Sequence, residues 1–510
     1  MDHRTRAAER WVLAASILGS TMAFIDGTVV NVALPALQDG LGATAAEVQW
    51  VVEGYALSLS ALLLLGGSLG DRVGRLRVFA AGVALFALAS IACGLSPDTH
   101  WLIGARVVQG IGGALLVPGS LALLNANSSP DRRGQLIGTW SAFSAAATGV
   151  GPVLGGWLIQ AVSWRAIFWL NVPLAAATLL IAWRKVAESR DPTAHGRLDL
   201  VGASLATVGL GGIVFGLIEA PRLGFGHPII ALALVVGGTT MVLFIVAEGR
   251  LPFPMMPLGL FRSREFSGAN LLTLLLYAAA GGAMYFLPFA LIQVHHYTPA
   301  EAGAAMLPLV ILLFLLSRTA GRMADRHGAR IPLVVGPVIA GAGLALLAVP
   351  GTAGSYWTTF FPAITVLGVG MSVTVAPLTT TVMGSAGTER SGVASGINNA
   401  VSRAAALLAV AALGVIASAR FGSALDDRLQ TLRVPEHVQA QLSDVRAKLA
   451  GAQLPAGLSP EMRKRLREAV DGSYIEGFRA VMWVAAVLAV GAGVVAWIFI
   501  RQAPRPMKKA

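Results

Sequence analysis

Two acids and one arginine, Asp26, Glu53 and Arg106, stand inside apolar stretches of sequence that contain no other charged residue. An acid near the centre of a membrane-spanning helix costs roughly 2.5–3.5 kcal/mol on insertion scales, so such acids usually face a bundle interior or an ion path. Arginine cannot readily lose its proton, and a buried Arg106 therefore requires an acidic or carbonyl partner. The chemistry open to this set is reversible proton binding at Asp26 or Glu53.

Each of these residues also has a purely structural interpretation. Asp26 would then make a hydrogen bond that packs two helices together, and Arg106 would extend to the membrane interface. Glu53 begins only a turn into its span and would be solvated at the level of the headgroups. The cost of its position favours a functional Asp26, but the sequence leaves open which acid is the main proton carrier.

The elements that hold these residues are predicted to be membrane-spanning helices. The 510 residues are 55% hydrophobic and 13% charged, with a mean hydropathy of +0.70, whereas soluble domains are about a quarter charged. Apolar runs able to cross about 30 Å of hydrocarbon recur between short polar turns. We predict fourteen spans, at residues 11–34, 48–70, 78–96, 101–124, 136–159, 166–184, 199–220, 229–247, 268–292, 303–320, 331–349, 358–382, 395–418 and 477–500.

Basic residues are distributed unequally between the two sides of this predicted bundle. Most of them lie in the two tails and in the turns that follow even-numbered helices, whereas the short loops of the other side contain only Arg165 and Arg222. The positive-inside rule then makes both termini cytoplasmic. This distribution also argues that the net charge of +12 does not serve nucleic-acid binding. We expect a multi-pass, monomeric protein of the bacterial cytoplasmic membrane.

One long segment, residues 420–476, falls on the outer side although it carries many charges of both signs. Long loops translocate largely regardless of charge, so this segment does not contradict the orientation. Residues 434–449 have an amphipathic pattern, which predicts ordered helical turns. The segment either docks a periplasmic adaptor or covers the mouth of a cavity.

A short motif occurs twice in the chain. It spans Gly66 to Arg77 after the second predicted helix and Gly321 to Arg330 after the tenth, and both copies keep a glycine, then Asp-Arg, one residue and a second glycine. Such a repeat predicts a duplicated bundle. Because the copies are eight helices apart, we predict two six-helix halves, at 1–184 and 268–510, with helices 7 and 8 inserted at 185–267.

Together these features resemble the major facilitator superfamily, in particular its fourteen-helix drug:proton antiporter group, the QacA/EmrB-like group. The resemblance rests on the helix count, on the stretch from Ile25 to Pro35 in helix 1, on the repeated turn motif, and on a Gly-Pro element from Ala147 to Gly156 in helix 5. It implies an all-α membrane protein with the major facilitator fold. Ala147 departs from the family pattern, which has glycine there.

The resemblance also implies roles for particular residues. Arg106 lies in a stretch similar to the family's second motif, which implies that it joins Asp26 and Glu53 in proton coupling. A cytoplasmic latch that opens and closes falls on Gly67, Asp71, Arg72, Gly74, Arg75, Asp325 and Arg326. A kink that seals the antiporter against leak falls on Gly151, Pro152, Gly155 and Gly156, with an echo in helix 13 at Gly392–Arg403.

A lipophilic substrate cavity is expected between the halves. The residues assigned to it are polar or aromatic and lie on helices 1, 2, 4 and 5: Phe24, Asn31, Tyr55, Gln109, Trp140 and Phe143. Tyr277, Tyr285 and Phe286 are further aromatic candidates.

The expected function is proton-coupled efflux of lipophilic, cationic or amphiphilic drugs by alternating access. The chain has no phosphate-binding glycine loop and no nucleophile triad, so an ion gradient rather than ATP should supply the energy. We expect no enzymatic activity, no cofactor and no metal site; the partners are a small-molecule substrate, protons and the lipid bilayer. One alternative is a dedicated exporter of a single endogenous metabolite or natural product. The second is a non-transporting membrane receptor or scaffold.

Overall fold

The computed structural model describes residues 3–190, 198–387, 391–432, 443–452, 454 and 458–501, and the regular structure in these ranges is helical. Fourteen of the described helices are long and apolar enough to cross a membrane. We number them α1 (Ala8–Leu41), α2 (Ala45–Val73), α3 (Arg75–Gly94), α4 (Thr99–Ala126), α5 (Gln135–Ala161), α6 (Ala166–Lys185), α7 (Leu200–Leu223), α8 (Pro228–Glu248), α9 (Arg264–Val294), α10 (Pro299–Ala324), α11 (Arg330–Leu347), α12 (Tyr356–Ser385), α13 (Gly392–Leu432) and α14 (Pro460–Phe499).

Three of these helices are irregular. α6 is interrupted at Leu170, which separates the helical segments Ala166–Trp169 and Asn171–Lys185. α9 ends in a π-helical turn, Ala290–Val294, just after Pro288, which lacks the backbone N–H that an α-helix needs. α10 is divided at Met306 into Pro299–Ala305 and Leu307–His327. Short helices at Leu258–Arg262, Ser443–Lys448 and Leu449–Gly451 complete the described regular structure.

The fourteen predicted spans agree with the observed helices except at the end of the chain. α13 continues to Leu432 instead of ending at 418, and α14 begins at Pro460 instead of 477. The two extensions lie side by side, since the Arg428 Nη1 donates a 3.1 Å hydrogen bond to the Ser473 Oγ. Hydropathy could not find these polar extensions, because they project beyond the apolar spans. Residues 433–442 of the predicted amphipathic segment lie outside the described residues.

The helix contacts form two groups of six with a pair between them. In the first group α2 and α3 pack on α4 and α1 packs on α5; in the second, α11 packs on α12 and α14, and α9 packs on α13 and α14. α7 packs on α8 and also on both α2 and α13, one from each group. The Trp50 Nε1 of α2 donates a 3.2 Å hydrogen bond to the Glu219 Oε1 of α7. The pair α7–α8 therefore covers the seam between α2 and α13.

The repeated turn motif adopts equivalent backbone conformations in both groups. Gly74 follows α2 with φ of +133°, and Gly328 follows the helix that ends at His327 with φ of +88°. Side chains other than hydrogen disfavour this region, so glycine permits the abrupt reversal into the next helix. We call the face of the bundle that holds these turns and both chain ends the termini face, and the opposite face, with the α13–α14 extensions, the hairpin face.

Candidate functional site

Asp26 lies in a buried polar network inside the first group of helices. Its carboxylate accepts hydrogen bonds from the Arg106 Nη1 at 2.5 Å, the Gln109 Nε2 at 2.8 Å and the Asn171 Nδ2 at 3.3 Å. The Ser90 Oγ accepts from the same Gln109 and Asn171 amides, at 2.9 and 3.2 Å. These five side chains come from α1, α3, α4 and α6, so the network joins four helices at one point.

Arg106 is satisfied on several sides, although it is only 1% exposed. Besides Asp26, its guanidinium donates to the Gln109 Oε1 at 2.6 Å and to the Val51 carbonyl oxygen at 3.0 Å. It also lies over the Tyr55 ring, 4.2 Å from the centroid. The interfacial alternative for Arg106 does not describe this geometry, because the side chain points into the bundle.

The sequence analysis therefore identified the charged residues of this network but only some of the polar residues around them. Asp26, Arg106, Gln109 and Tyr55 are in contact as a group. Asn171 and Ser90 were not predicted. Their only signal in the sequence is that each is a polar residue in an apolar helix, and many such residues simply bond their own backbone, as Thr178 does to the Leu174 carbonyl.

Glu53 lies apart from this network and has different surroundings. It is 1% exposed, and neither carboxyl oxygen has a hydrogen-bond donor among the described residues. Tyr285 of α9, across the seam, is close enough to Glu53 to interact with it electrostatically. The structure thus places Glu53 in the interior between the two groups of helices rather than at the headgroup level.

The predicted cavity residues are only partly assembled. Phe24 and Trp140 meet edge-on with ring centroids 6.4 Å apart, and the Trp140 Nε1 donates to the Ser20 Oγ at 2.9 Å. Phe143 is 55% exposed; it lies nine residues before Pro152 on α5, which places it on the opposite side of that helix from the contact with α10. Asn31 is partly buried on α1.

A close helix crossing joins the two groups near the hairpin face. A Cβ added at Gly156 of α5 would lie 2.2 Å from the Pro299 carbonyl oxygen of α10, and one added at Gly303 would lie 2.2 Å from the Pro152 carbonyl oxygen. The glycines let the backbones touch, which no larger residue permits. The other two members of the predicted kink behave differently: Gly151 and Gly155 pack against α1, at Thr28 and Val29.

Residues 446–452 lie over the same face and also bridge the groups. The Gln38 Nε2 at the end of α1 donates to the Lys448 carbonyl oxygen at 2.9 Å, and the Gln293 Nε2 of α9 donates to the Gln38 Oε1 at 2.9 Å. Beneath them is a cavity of about 440 Å³ whose lining includes Gln38, Gln49, Tyr285, Phe289 and Ser418. Residues 446–452 therefore lie over this cavity.

The latch residues on the termini face bond mainly to their own group. Asp71 pairs with Arg75 at 2.8 Å. Glu188, which the sequence did not indicate, accepts from the backbone N–H groups of Leu76 and Arg77 at 3.0 and 3.2 Å and so caps the start of α3. Arg72 lines a cavity of about 290 Å³ with Asp199 and residues 252–255. In the second copy Arg326 is exposed, and the side chain of Asp325 lies outside the described residues.

The Asp26–Arg106 ion pair is expected to contribute to the stability of the folded protein. Replacing Asp26 with asparagine leaves Arg106 buried without a counter-charge, and breaking a buried pair in this way costs about 3–5 kcal/mol. We expect Asp26→Asn to lower the melting temperature of the purified protein in detergent strongly, and the double variant Asp26→Asn/Arg106→Gln to recover much of the loss. A double variant that is less stable than either single variant would contradict the pairing.

The chain is similar to known membrane transport proteins along nearly its whole length. A model of the Major Facilitator Superfamily matches residues 16–410. The tetracenomycin C resistance and export protein of Streptomyces glaucescens is 33% identical over 494 residues, which cover 96% of this chain and 91% of that protein. The multidrug resistance protein Stp of Mycobacterium tuberculosis is 33% identical over 486 residues, 94% of this chain and 90% of that protein.

Solved structures show the same arrangement of helices. A bacterial homologue of the human lysosomal transporter Spinster, in an inward-facing and unoccupied conformation, superposes with a TM-score of 0.65 at 17% identity and covers 96% of both chains. At this identity the likeness concerns the fold alone.

Proposed function

Because the chain belongs to the Major Facilitator Superfamily, we propose that it exports lipophilic drugs across a bacterial cytoplasmic membrane in exchange for protons. The observation that carries this proposal is the pair of buried acids in different states of pairing. Asp26 is bonded to Arg106, whereas Glu53 lies at the seam and has no donor in the part of the chain that the structure describes. The names of the relatives support drug efflux, since one is an export protein for an antibiotic and another a multidrug resistance protein.

We assign the termini face to the cytoplasm, following the distribution of basic residues. The halves 1–184 and 268–510 move against each other, and 185–267 stays at their seam as a lateral cover. The crossing of α5 with α10 and the cover formed by residues 446–452 hold the halves together at the hairpin face. These contacts support a conformation closed toward the outside.

Within this scheme Glu53 is the group that carries the proton. An ionised carboxylate without any hydrogen-bond donor is costly in a low-dielectric interior, so Glu53 is protonated in the conformation described. Asp26, by contrast, accepts hydrogen bonds from Arg106, Gln109 and Asn171. Asp26 therefore positions Arg106 and binds four helices together. Opening the seam exposes Glu53 to water and releases its proton.

The latch controls the movement on the cytoplasmic side. The Asp71–Arg75 pair stabilises the turn between α2 and α3, and Glu188 attaches this turn to the segment that follows α6. The first half thus moves as one body, and the turn positions Arg72 beside the linker that follows α8. We propose that the protein works as a monomer and without an adaptor, because residues 446–452 bond to the chain's own Gln38 and Arg467.

A dedicated exporter of one natural product remains the second candidate, and the similarity to the tetracenomycin C export protein favours it. A susceptibility panel in an efflux-deficient host separates the two, because resistance to a single compound would identify a dedicated exporter.

Purified protein in liposomes tests the transport itself. An imposed pH gradient, acidic on the side of the hairpin face, should drive accumulation of a fluorescent drug on that side, and collapsing the gradient with a protonophore should stop it. Transport that ignores the pH gradient would exclude proton coupling.

A further inference from the structure

A second buried charge lies at the seam, on the half that contains neither Asp26 nor Glu53. Arg403 is on α13, which packs against α2, and it lies at the level of Tyr55. The packing of the two helices fixes this level: the Gln49 Nε2 donates to the Val410 carbonyl oxygen at 3.0 Å on one side, and Leu64 approaches Gly396 on the other. Tyr55 is ten residues into α2, about 15 Å from its start, which is near the membrane midplane.

The guanidinium of Arg403 has no counter-charge in the described protein. It makes no hydrogen bond and no ion pair with any residue in the described ranges, and none of its nitrogens is enclosed without a partner. The side chain is only partly buried, so part of it remains accessible. An arginine at this depth is costly and usually pairs with an acid or lines a substrate path.

The nearby acids are not free to serve Arg403. Asp26 is paired with Arg106. Glu53 makes no hydrogen bond or ion pair with Arg403 among the described residues, and Glu219 on α7 already accepts from Trp50 and from Arg222 at 3.1 Å. The described part of the seam therefore has a net positive charge near the midplane.

We propose that Arg403 binds an anionic oxygen group of the exported compound, a carboxylate or an acidic phenol or enol, so that lipophilic weak acids are preferred substrates. The inference rests on the proposed export function. Arginine suits this role because its planar guanidinium donates two parallel hydrogen bonds to such a group and stays charged at every relevant pH.

Two xanthene dyes of opposite charge test the substrate class. Fluorescein is an anion at neutral pH, and tetramethylrosamine is a cation with the same ring system. In liposomes under a pH gradient, the wild-type protein should move fluorescein with the lower KM. Arg403→Gln should raise the KM for fluorescein about tenfold or more, as expected for loss of a charge-assisted hydrogen bond, and leave tetramethylrosamine unchanged. The KM of Arg403→Lys for fluorescein should lie between those of the wild type and Arg403→Gln.

Asn399→Ala is the matched control, since Asn399 lies one turn away on α13 and its amide bonds only to the Ser395 carbonyl oxygen of the same helix. Equilibrium binding of fluorescein to the purified protein should show the same order of variants without requiring transport. If Arg403→Gln slows both dyes equally, or if the wild type moves only the cation, the substrate class is wrong although export stands. If neither dye moves in the wild type, the export function itself fails.

Discussion

Replacing Glu53 with glutamine is expected to abolish drug accumulation driven by a pH gradient while preserving exchange of drug for drug across the membrane. Glutamine occupies nearly the same volume but cannot take up or release a proton. Because no described residue donates to Glu53 in the closed conformation, the neutral amide should fit there at little cost. The variant should therefore still alternate between its two conformations but without coupling. Uptake and counterflow assays on the same liposomes measure the two activities separately.

Glu47→Gln provides the matched control for this experiment. Glu47 is an acid on the same helix, near its start, where it completes a capping box with Thr44. Glutamine also completes such a box, so Glu47→Gln should keep both activities. Full pH-driven accumulation by Glu53→Gln would contradict the assignment and return Asp26 to consideration as the proton carrier.

The second large effect is expected from adding a single methyl group at Gly156. The Cβ of an alanine would lie 2.2 Å from the Pro299 carbonyl oxygen and 2.9 Å from the Ala300 Cα, so two backbones would have to separate. Overpacking of this kind costs about 1–3 kcal/mol. The cost falls on the conformation closed at the hairpin face, because the halves meet there at Gly156. Gly156→Ala should therefore favour the outward-open state and lower the rate of export about tenfold or more.

Accessibility of a single cysteine measures the shift directly. Ser418 lines the 440 Å³ cavity beneath residues 446–452, and Cys93, the only native cysteine, is buried and replaceable by alanine. In the Cys93→Ala background, Ser418→Cys should react faster with a maleimide when Gly156→Ala is present. Gly138→Ala is the control on the same helix, since a Cβ there meets no atom within 4 Å. Equal labelling in all variants would show that the crossing does not close this face.

The fold was accessible from the sequence because a bilayer imposes simple rules on it. A helix that satisfies its own backbone hydrogen bonds and is apolar for about twenty residues identifies itself, and the predicted family and fold are confirmed. The equivalent glycines Gly74 and Gly328 could also be found in the sequence, because a positive φ after a helix favours glycine. The extensions of α13 and α14 followed no such rule and were missed.

The sequence showed which charged residues lie inside the bundle, but it did not show which of them pair with each other. The sequence identified Asp26, Glu53 and Arg106 as costly residues that need partners, and it found the glycines of α5. Only the tertiary structure decided that Asp26 pairs with Arg106 while Glu53 has no partner within the described ranges. It also decided that Gly156 faces α10 whereas Gly155 faces α1. The role of Arg403 also depends on the tertiary structure, because residues hundreds of positions away determine whether its charge is compensated. Local sequence sets the cost of each buried group, and the packing of distant helices determines what offsets it.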